Sequence, residues 1–145
     1  MALGSEAKTL RVEIVSAEEE IFAGEATMVS ASAQLGEVGI APGHTPFITG
    51  IKPGEVRVNT AGDDDELDIY VSGGILEVQP YVVTILADTA IRAADIDEAA
   101  AEKAKQEAEA LLANAKPGGE VDFSAVQMQL AEASAQLQLI KKLKR

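Results

Sequence analysis

The residue types that could carry out catalysis are scarce in this chain of 145 residues. It has one histidine, His44, and no cysteine. A Ser-His-Asp triad could be built only on His44, and no Gly-x-Ser-x-Gly turn supports one. A zinc site needs more histidine or cysteine than the chain contains, and the phosphate-loop pattern of glycines followed by Lys-Ser/Thr is absent. We predict a non-catalytic binding protein without metal or cofactor; an acid/base pair among its 24 acidic residues is the open alternative.

The densest turn chemistry lies between Gly36 and Gly54, where five glycines and three of the chain's five prolines alternate with apolar residues. Proline fixes φ and glycine permits positive φ, so this segment is predicted to follow one tortuous path of short strands and turns. It displays two polar side chains, Glu37 and His44. Loops held in this way commonly carry function.

Composition excludes several classes of protein. The net charge of -12 and the 3% of aromatic residues disfavour nucleic acid, because phosphates are repelled and bases find few rings to stack on. The absence of cysteine fits a reducing compartment. No apolar run is long enough to span a bilayer, and residues 1–8 lack the apolar core of a secretory signal. These features predict a soluble, cytoplasmic protein.

The first two thirds of the chain alternate apolar and polar residues with period two, which is typical of half-buried strands. Turn residues separate these stretches at near-regular spacing, so we predict an all-β sandwich or flattened barrel. Gly73 and Gly74 are interpreted as requirements of a turn or a β-bulge rather than as binding contacts. The residues of this pattern are Leu10, Val12 and Ile14; Val56 and Val58; Leu67, Ile69 and Val71, which alternate with Asp68 and Tyr70; and Val82, Thr84 and Leu86.

After Arg92 the pattern becomes helical. Asp95, with Glu98 three residues later, predicts the start of a helix that continues to about Ala115. The segment Asn114–Gly119 ends it, and a second helix is predicted from Asp122 or Ser124. The two should form an antiparallel hairpin. The first helix presents mainly methyl groups, at Ala99, Ala101, Ala104 and Ala108 before Leu111 and Leu112; the second presents one stripe, Val126, Leu130, Ala133, Leu137 and Ile140.

Two charged runs stand out. Asp63–Glu66 is interpreted as a solvated hairpin tip, because it lacks the spacing of a calcium loop. The basic run Lys141, Lys142, Lys144 and Arg145 closes the second helix. It either complements the partial negative charge of the helix C-terminus or contacts an acidic partner.

Three segments together resemble the epsilon subunits of F-type ATP synthases: Gly36–Gly54, Tyr70–Val78 and Leu86–Arg92. The resemblance extends from about Thr9 to the C-terminus. It implies a flexible tail (1–8), a β-sandwich domain that binds the γ subunit and the c-ring (9–92), and a regulatory α-helical hairpin (93–145). It further implies a central-stalk subunit that rotates during ATP synthesis, whose helices can extend into the α/β catalytic ring and inhibit ATP hydrolysis.

The resemblance also assigns residues. Glu37 and His44 correspond to positions that face the polar loops of the c-ring; alternatively, Glu37 is a solvated turn acid and His44 bonds to local backbone. Lys141, Lys142, Lys144 and Arg145 would contact acidic segments of the catalytic subunits. The chain would associate with the membrane only through the complex, at the cytoplasmic face of the bacterial inner membrane.

One departure from the family pattern concerns ATP binding. Family members that bind ATP carry Ile/Leu-Asp-x-x-Arg-Ala at the first helix, whereas here Ile96 and Asp97 are followed by Ala100 at the arginine position. Because a guanidinium is the bidentate partner that phosphate favours, ATP binding is not expected. The competing interpretation of the whole chain is a free-standing regulatory or small-ligand-binding β-sandwich with a helical lid.

Overall fold

The computed structural model describes residues 9–61, 66–114 and 122–143. Within these ranges the predicted fold class is confirmed, because strands are followed by two helices. The predicted tail 1–8, the aspartates of the acidic run, most of the turn after Asn114, and Lys144 with Arg145 lie outside the described residues. The elements are β1 (Leu10–Ser16), β2 (Glu20–Ala33), β3 (Gly36–Ile40), β4 (Phe47–Thr60), β5 (Glu66–Val71), β6 (Gly74–Gln79), β7 (Val82–Ala87), β8 (Ala90–Arg92), a 3-10 turn (Ala93–Asp95), α1 (Glu98–Ala113) and α2 (Phe123–Leu143).

The strands form one sheet in the order β3-β2-β1-β7-β6-β4-β5-β8. β1 and β7 are parallel, and the other neighbours are antiparallel. β2 and β4, of 14 residues each, pair with two other strands in succession and also with each other. This extra pairing closes the sheet into a flattened barrel. The first compact unit ends at Arg92, and the second begins at Ala93.

The core of the first unit follows the predicted alternation. Leu10, Val12 and Ile14 of β1 are buried, as are Val56 and Val58 of β4. Burying such a side chain fully is worth about 1.5–3 kcal/mol. Period-two strands around one apolar interior therefore account for the stability of this unit.

Strand β7 has the opposite parity from the one predicted. Val83 and Ile85 are buried, whereas Val82 and Leu86 are exposed. Both the odd and the even positions of β7 carry apolar residues, so alternation alone does not determine which face of the strand points inward. Its pairing sets Ile85 beside Ile14 of the core, and this register decides which side chains point inward.

Strand β5 departs from simple alternation at Tyr70. Tyr70 is buried, although its neighbours Ile69 and Val71 already occupy the core face of β5. Because successive side chains point to opposite faces, β5 is covered on both sides at this point. A strand buried on both faces does not show the strict alternation of a half-exposed one.

The N-cap of helix α1 lies two residues later than the predicted one. Asp95 lies in the 3-10 turn, and the N-cap is Asp97, whose carboxylate accepts a hydrogen bond from the backbone N–H of Ala100 at 3.0 Å. The backbone N–H of Ile96 donates to the carbonyl of Ala93 at 3.2 Å, so a separate turn precedes the helix. Both aspartates are suitable caps, and this turn selects the second.

The two helices pack against each other through small and apolar side chains. Ala101 and Ala108 of α1 are buried, as are Val126 and Ala133 of the predicted α2 stripe. Leu139, outside that stripe, is buried too. α2 begins after Asp122, within the predicted range, and the Asp122 carboxylate accepts from the N–H of Ala125 at 3.2 Å. The methyl-rich side of α1 is therefore a packing face, as predicted, although Ala99 and Leu111 are exposed.

Candidate functional site

The turn between β2 and β3 projects a leucine and an acid. Gly36 has a φ of +130°, which favours glycine, and Leu35 beside it is fully exposed. Glu37 follows on β3, opposite Ser32 of β2, with 61% of its side chain exposed. We call residues 34–37 the hairpin tip. It presents an apolar group and a carboxylate next to each other.

Arg57 of β4 holds the Glu37 carboxylate. Its Nη2 forms a salt bridge with Oε1 of Glu37, and its Nε lies 3.1 Å from Oε1 of Glu55 on the same strand. Glu55 is largely buried, with 17% of its side chain exposed. No pattern in the sequence predicts this contact, because it joins residues 20 positions apart across an intervening strand.

His44 lies in the loop between β3 and β4. Its backbone N–H donates to the carbonyl of Ala41 at 3.2 Å, which forms a turn, and its Nδ1 donates to the carbonyl of Thr45 at 2.8 Å. The ring packs against Phe47 with the centroids 5.4 Å apart. His44 therefore makes the local backbone contact that we considered as the alternative to a binding role.

Glu37 and His44 are not brought together. Glu37 belongs to the hairpin tip, at the start of β3, whereas His44 follows the opposite end of β3, and three residues of strand span about 10 Å. The loop of His44 lies instead beside the β6–β7 turn, where the N–H of Gly43 donates to the carbonyl of Pro80 at 2.6 Å. The two residues therefore act as separate candidates.

An exposed apolar row crosses the outer face of the sheet. Ile75 of β6 pairs with Leu86 of β7, which pairs in turn with Val15 of β1, and Ile48 of β4 lies diagonally beside Ile75. Ile48, Ile75 and Leu86 are 67%, 46% and 50% exposed. We call these four residues the apolar row. The sequence hint for this row is that β6 and β7 carry apolar residues at both odd and even positions, so both faces of these strands are partly apolar.

The corner between β5 and β6 explains why the segment Tyr70–Val78 contains two consecutive glycines. Gly73 and Gly74 have φ values of +129° and +144°, and a Cβ on Gly74 would lie 2.2 Å from the carbonyl oxygen of Leu86. Ser72 Oγ accepts from the backbone N–H and the hydroxyl of Thr89, at 3.0 and 2.7 Å. Both glycines are therefore required by the backbone, as predicted.

Residues 96–100, at the start of α1, carry no basic side chain that could pair with phosphate. The side chain of Asp97 accepts the capping hydrogen bond, and Ala100 is exposed and has only a methyl group. Ile96 is partly buried. At the far end of the second unit, Lys141 and Lys142 are exposed in the last turn of α2.

The described part of the chain offers few other kinds of site. It holds no cluster of three or more potential metal-ligating His, Asp or Glu side chains. Neither of its two helices is long and apolar enough to cross a membrane. A surface cavity of about 520 Å³ opens beside β8, where charged and apolar side chains mix. Its lining is Phe22, Gly24, Glu25, Thr60, Glu66, Leu67 and Arg92.

Known proteins match the chain along nearly its whole length. Residues 9–93 match the beta-sandwich domain of the ATP synthase Delta/Epsilon chain family, and residues 94–141 match its long alpha-helix domain. The ATP synthase epsilon chain of Xanthomonas campestris pv. campestris is 62% identical over 137 residues, covering 94% of this chain and 96% of the relative. The epsilon chain of Halorhodospira halophila is 56% identical over the same shares.

Solved structures share the fold. A chain of the Euglena gracilis mitochondrial ATP synthase (OSCP/F1/c-ring) superposes with a TM-score of 0.79 at 20% identity, over 95% of this chain and 82% of that chain. A chain of the Tetrahymena thermophila mitochondrial ATP synthase (central stalk/c-ring) superposes with a TM-score of 0.54 at 12% identity, over 94% of this chain and 96% of that chain. The matched domains and the identity to epsilon chains lead to one conclusion: this chain belongs to the epsilon-chain family and is a non-catalytic subunit of an ATP synthase.

Proposed function

We propose that this chain is a rotor subunit which joins the γ subunit to the c-ring and inhibits ATP hydrolysis through its C-terminal helices. The observation that carries this proposal is the apolar row. Three large aliphatic side chains on a strand face, each at least 46% exposed, are a surface suited to a protein partner. We assign γ to this surface and the polar loops of the c-ring to the hairpin tip.

The surroundings of the apolar row resemble a protein interface. Glu77, Thr84 and Glu13 form the neighbouring row across β6, β7 and β1, and so place polar groups at its border. Interfaces commonly combine an apolar centre with a polar rim. Rigid strands present these side chains in fixed positions, which lowers the entropic cost of binding.

The hairpin tip suits a contact with a polar loop. Its Glu37 is charged and largely exposed, and Leu35 adds apolar area directly beside it. A carboxylate offers two acceptor oxygens, so it can bind a backbone or side-chain donor of a partner loop. His44, at the other end of β3, is proposed as a second and separate contact with the c-ring.

Replacing Glu37 and His44 with alanine, singly and together, should weaken the coupling of ATP hydrolysis to proton pumping. The free energy of unfolding should change by at most about 1 kcal/mol, because surface ion pairs and exposed turn side chains contribute little. Proton pumping per ATP hydrolysed and chemical denaturation check the two parts. A large loss of stability with intact coupling would identify both residues as structural.

The helical unit is proposed to be the regulatory part. The packing face of α1 is built largely from Ala101 and Ala108, and burying a methyl group is worth only about 0.8 kcal/mol. A difference of a few kcal/mol between two states of such a unit can be reversed by new contacts. Lys141 and Lys142, with the two basic residues that follow them, are proposed to contact acidic segments of the catalytic subunits.

A shortened chain that ends at Asp95 should fold and still join γ to the c-ring. The core cluster and the residues packed against it all lie between Leu10 and Ala90, so the first unit has a core of its own. Circular dichroism and co-purification with γ and the c-ring check this expectation. A shortened chain that folds but does not bind γ would refute the proposed division between the two units.

Two further proposals concern where the chain is located and what its alternative function is. We propose that the chain is held peripherally at the cytoplasmic face of the bacterial inner membrane, through the complex alone. The cavity beside β8 favours the second candidate, a small-ligand-binding domain, since its volume falls in the range of ligand sites. Co-purification of the full-length chain with γ separates the two, because a free-standing domain would not bind it.

A further inference from the structure

Arg57 reaches Glu37 across an intervening strand, which is unusual for two side chains on a sheet. In the register, Ser30 of β2 lies between Gly39 of β3 and Arg57 of β4. The short side chain of Ser30 leaves room above the sheet for the long side chain of Arg57, whereas the space over Gly39 is taken by the terminal methyl of Met28, 2.8 Å from where a Cβ of residue 39 would lie. Glu37, two residues from Gly39 on the same face, then meets the guanidinium diagonally.

The guanidinium of Arg57 is fixed from two sides. Nη2 contacts Glu37, and Nε contacts Glu55, whose side chain is mostly buried. Because guanidinium is planar and its donors form a rigid fork, holding Nε also sets the direction in which Nη2 points. Only 32% of the Arg57 side chain is exposed, which further restricts its movement.

We propose that Arg57 is a positioning residue that fixes the Glu37 carboxylate in the orientation it presents to the c-ring loops. Glu37 remains 61% exposed, and a carboxylate has more acceptor positions than one arginine N–H occupies. The Glu37 carboxylate can therefore pair with Arg57 and, at the same time, accept a hydrogen bond from a partner. This inference extends the contact proposed for the hairpin tip and depends on it for its functional consequence.

Pre-ordering Glu37 should strengthen binding to the c-ring. Ordering one flexible side chain at an interface reduces affinity by about two- to tenfold. In the full-length Arg57→Gln variant, affinity for a γ–c-ring complex should fall by about this factor, while affinity for γ alone stays unchanged. Arg57→Lys should recover part of the loss, because it keeps the charge without the fork. Arg92→Gln, which removes a different surface arginine, serves as the control and should not change the ratio of the two affinities.

Non-additivity separates positioning from an independent contact. Glu37→Gln should lose at least as much c-ring affinity as Arg57→Gln, and the double variant should lose no more than Glu37→Gln alone. If Glu37→Gln lowers the affinity and Arg57→Gln does not, Arg57 has no positioning role, although the contact at the hairpin tip stands. Losses that multiply in the double variant would likewise overturn the proposal.

A measurement on the full-length chain without partners tests the geometry separately. Side-chain NMR coupling constants should show one dominant rotamer for Glu37, and averaged values in Arg57→Gln. Unchanged coupling constants in the variant would overturn the positioning role whether or not the c-ring contact exists. Averaging in the variant, combined with a Glu37→Gln variant of normal c-ring affinity, would support the positioning and refute the proposed contact.

Discussion

Replacing Ile75 and Leu86 with serine should reduce the affinity of this chain for the γ subunit by roughly a hundredfold or more. Each is a half-exposed aliphatic side chain at the centre of the apolar row. Central interface residues often contribute about 2 kcal/mol or more each, which corresponds to about thirtyfold per residue. Binding of the purified full-length variant to γ, measured by calorimetry, checks this value.

A matched control lies on the same outer face of the sheet. Val82 is exposed on β7 and pairs with Arg11 and Gln79, four residues along the strand from Leu86 of the apolar row. Val82→Ser should change the affinity by a few-fold at most. Each substitution should lower the free energy of unfolding by about 1 kcal/mol, because these side chains are about half buried and full burial is worth about 1.5–3 kcal/mol, so the variants can be compared as folded proteins. Normal γ binding by the double variant would remove the main support for the rotor assignment.

Deleting residues 122–145 should raise ATP hydrolysis by the assembled enzyme roughly fivefold or more, the lower end of effects expected for a coupling of 1–3 kcal/mol. The deletion removes α2 and the basic end that we assign to the inhibited state. Changing Lys141, Lys142, Lys144 and Arg145 to glutamine should give part of that rise. The effect should be larger at low salt, because exposed charges are screened at high salt.

The control for the basic end comes from α1. Lys103 and Lys105 lie on the other helix, and Lys103 is near Glu107 at 4.0 Å, a spacing typical of a weak surface pair. Changing both to glutamine should leave hydrolysis unchanged. If neither the deletion nor the four glutamine substitutions alters hydrolysis, the helices are not inhibitory in this enzyme.

The sequence predicted the parts of the fold that depend on one clear period. Leu10, Val12 and Ile14 alternate with charged residues, so only one face of β1 could be buried. β7 has apolar residues at both parities, and its inner face depends on pairing with β1, which lies far away in sequence. Asp95 and Asp97 are equally good caps, and the intervening 3-10 turn decides between them.

In the candidate site, too, the sequence predicts local features and does not predict contacts between distant strands. Glu37 could be singled out because local turn chemistry isolates it, and Gly74 because its turn needs a positive φ. The contact between Glu37 and Arg57, and the apolar row, depend on registers across three or more strands. Such registers follow from packing of the whole barrel, which no local pattern in the sequence encodes.

The most direct test of the rotor assignment is ATP-driven proton pumping by an enzyme from which this chain has been removed. Pumping per ATP hydrolysed should be low, and it should be restored by the full-length chain and by residues 1–95, since the first unit carries both proposed contact surfaces. Restoration by residues 1–95 carrying Ile75→Ser and Leu86→Ser should fail. Pumping that is equally coupled with and without the chain would contradict the proposed role in joining γ to the c-ring.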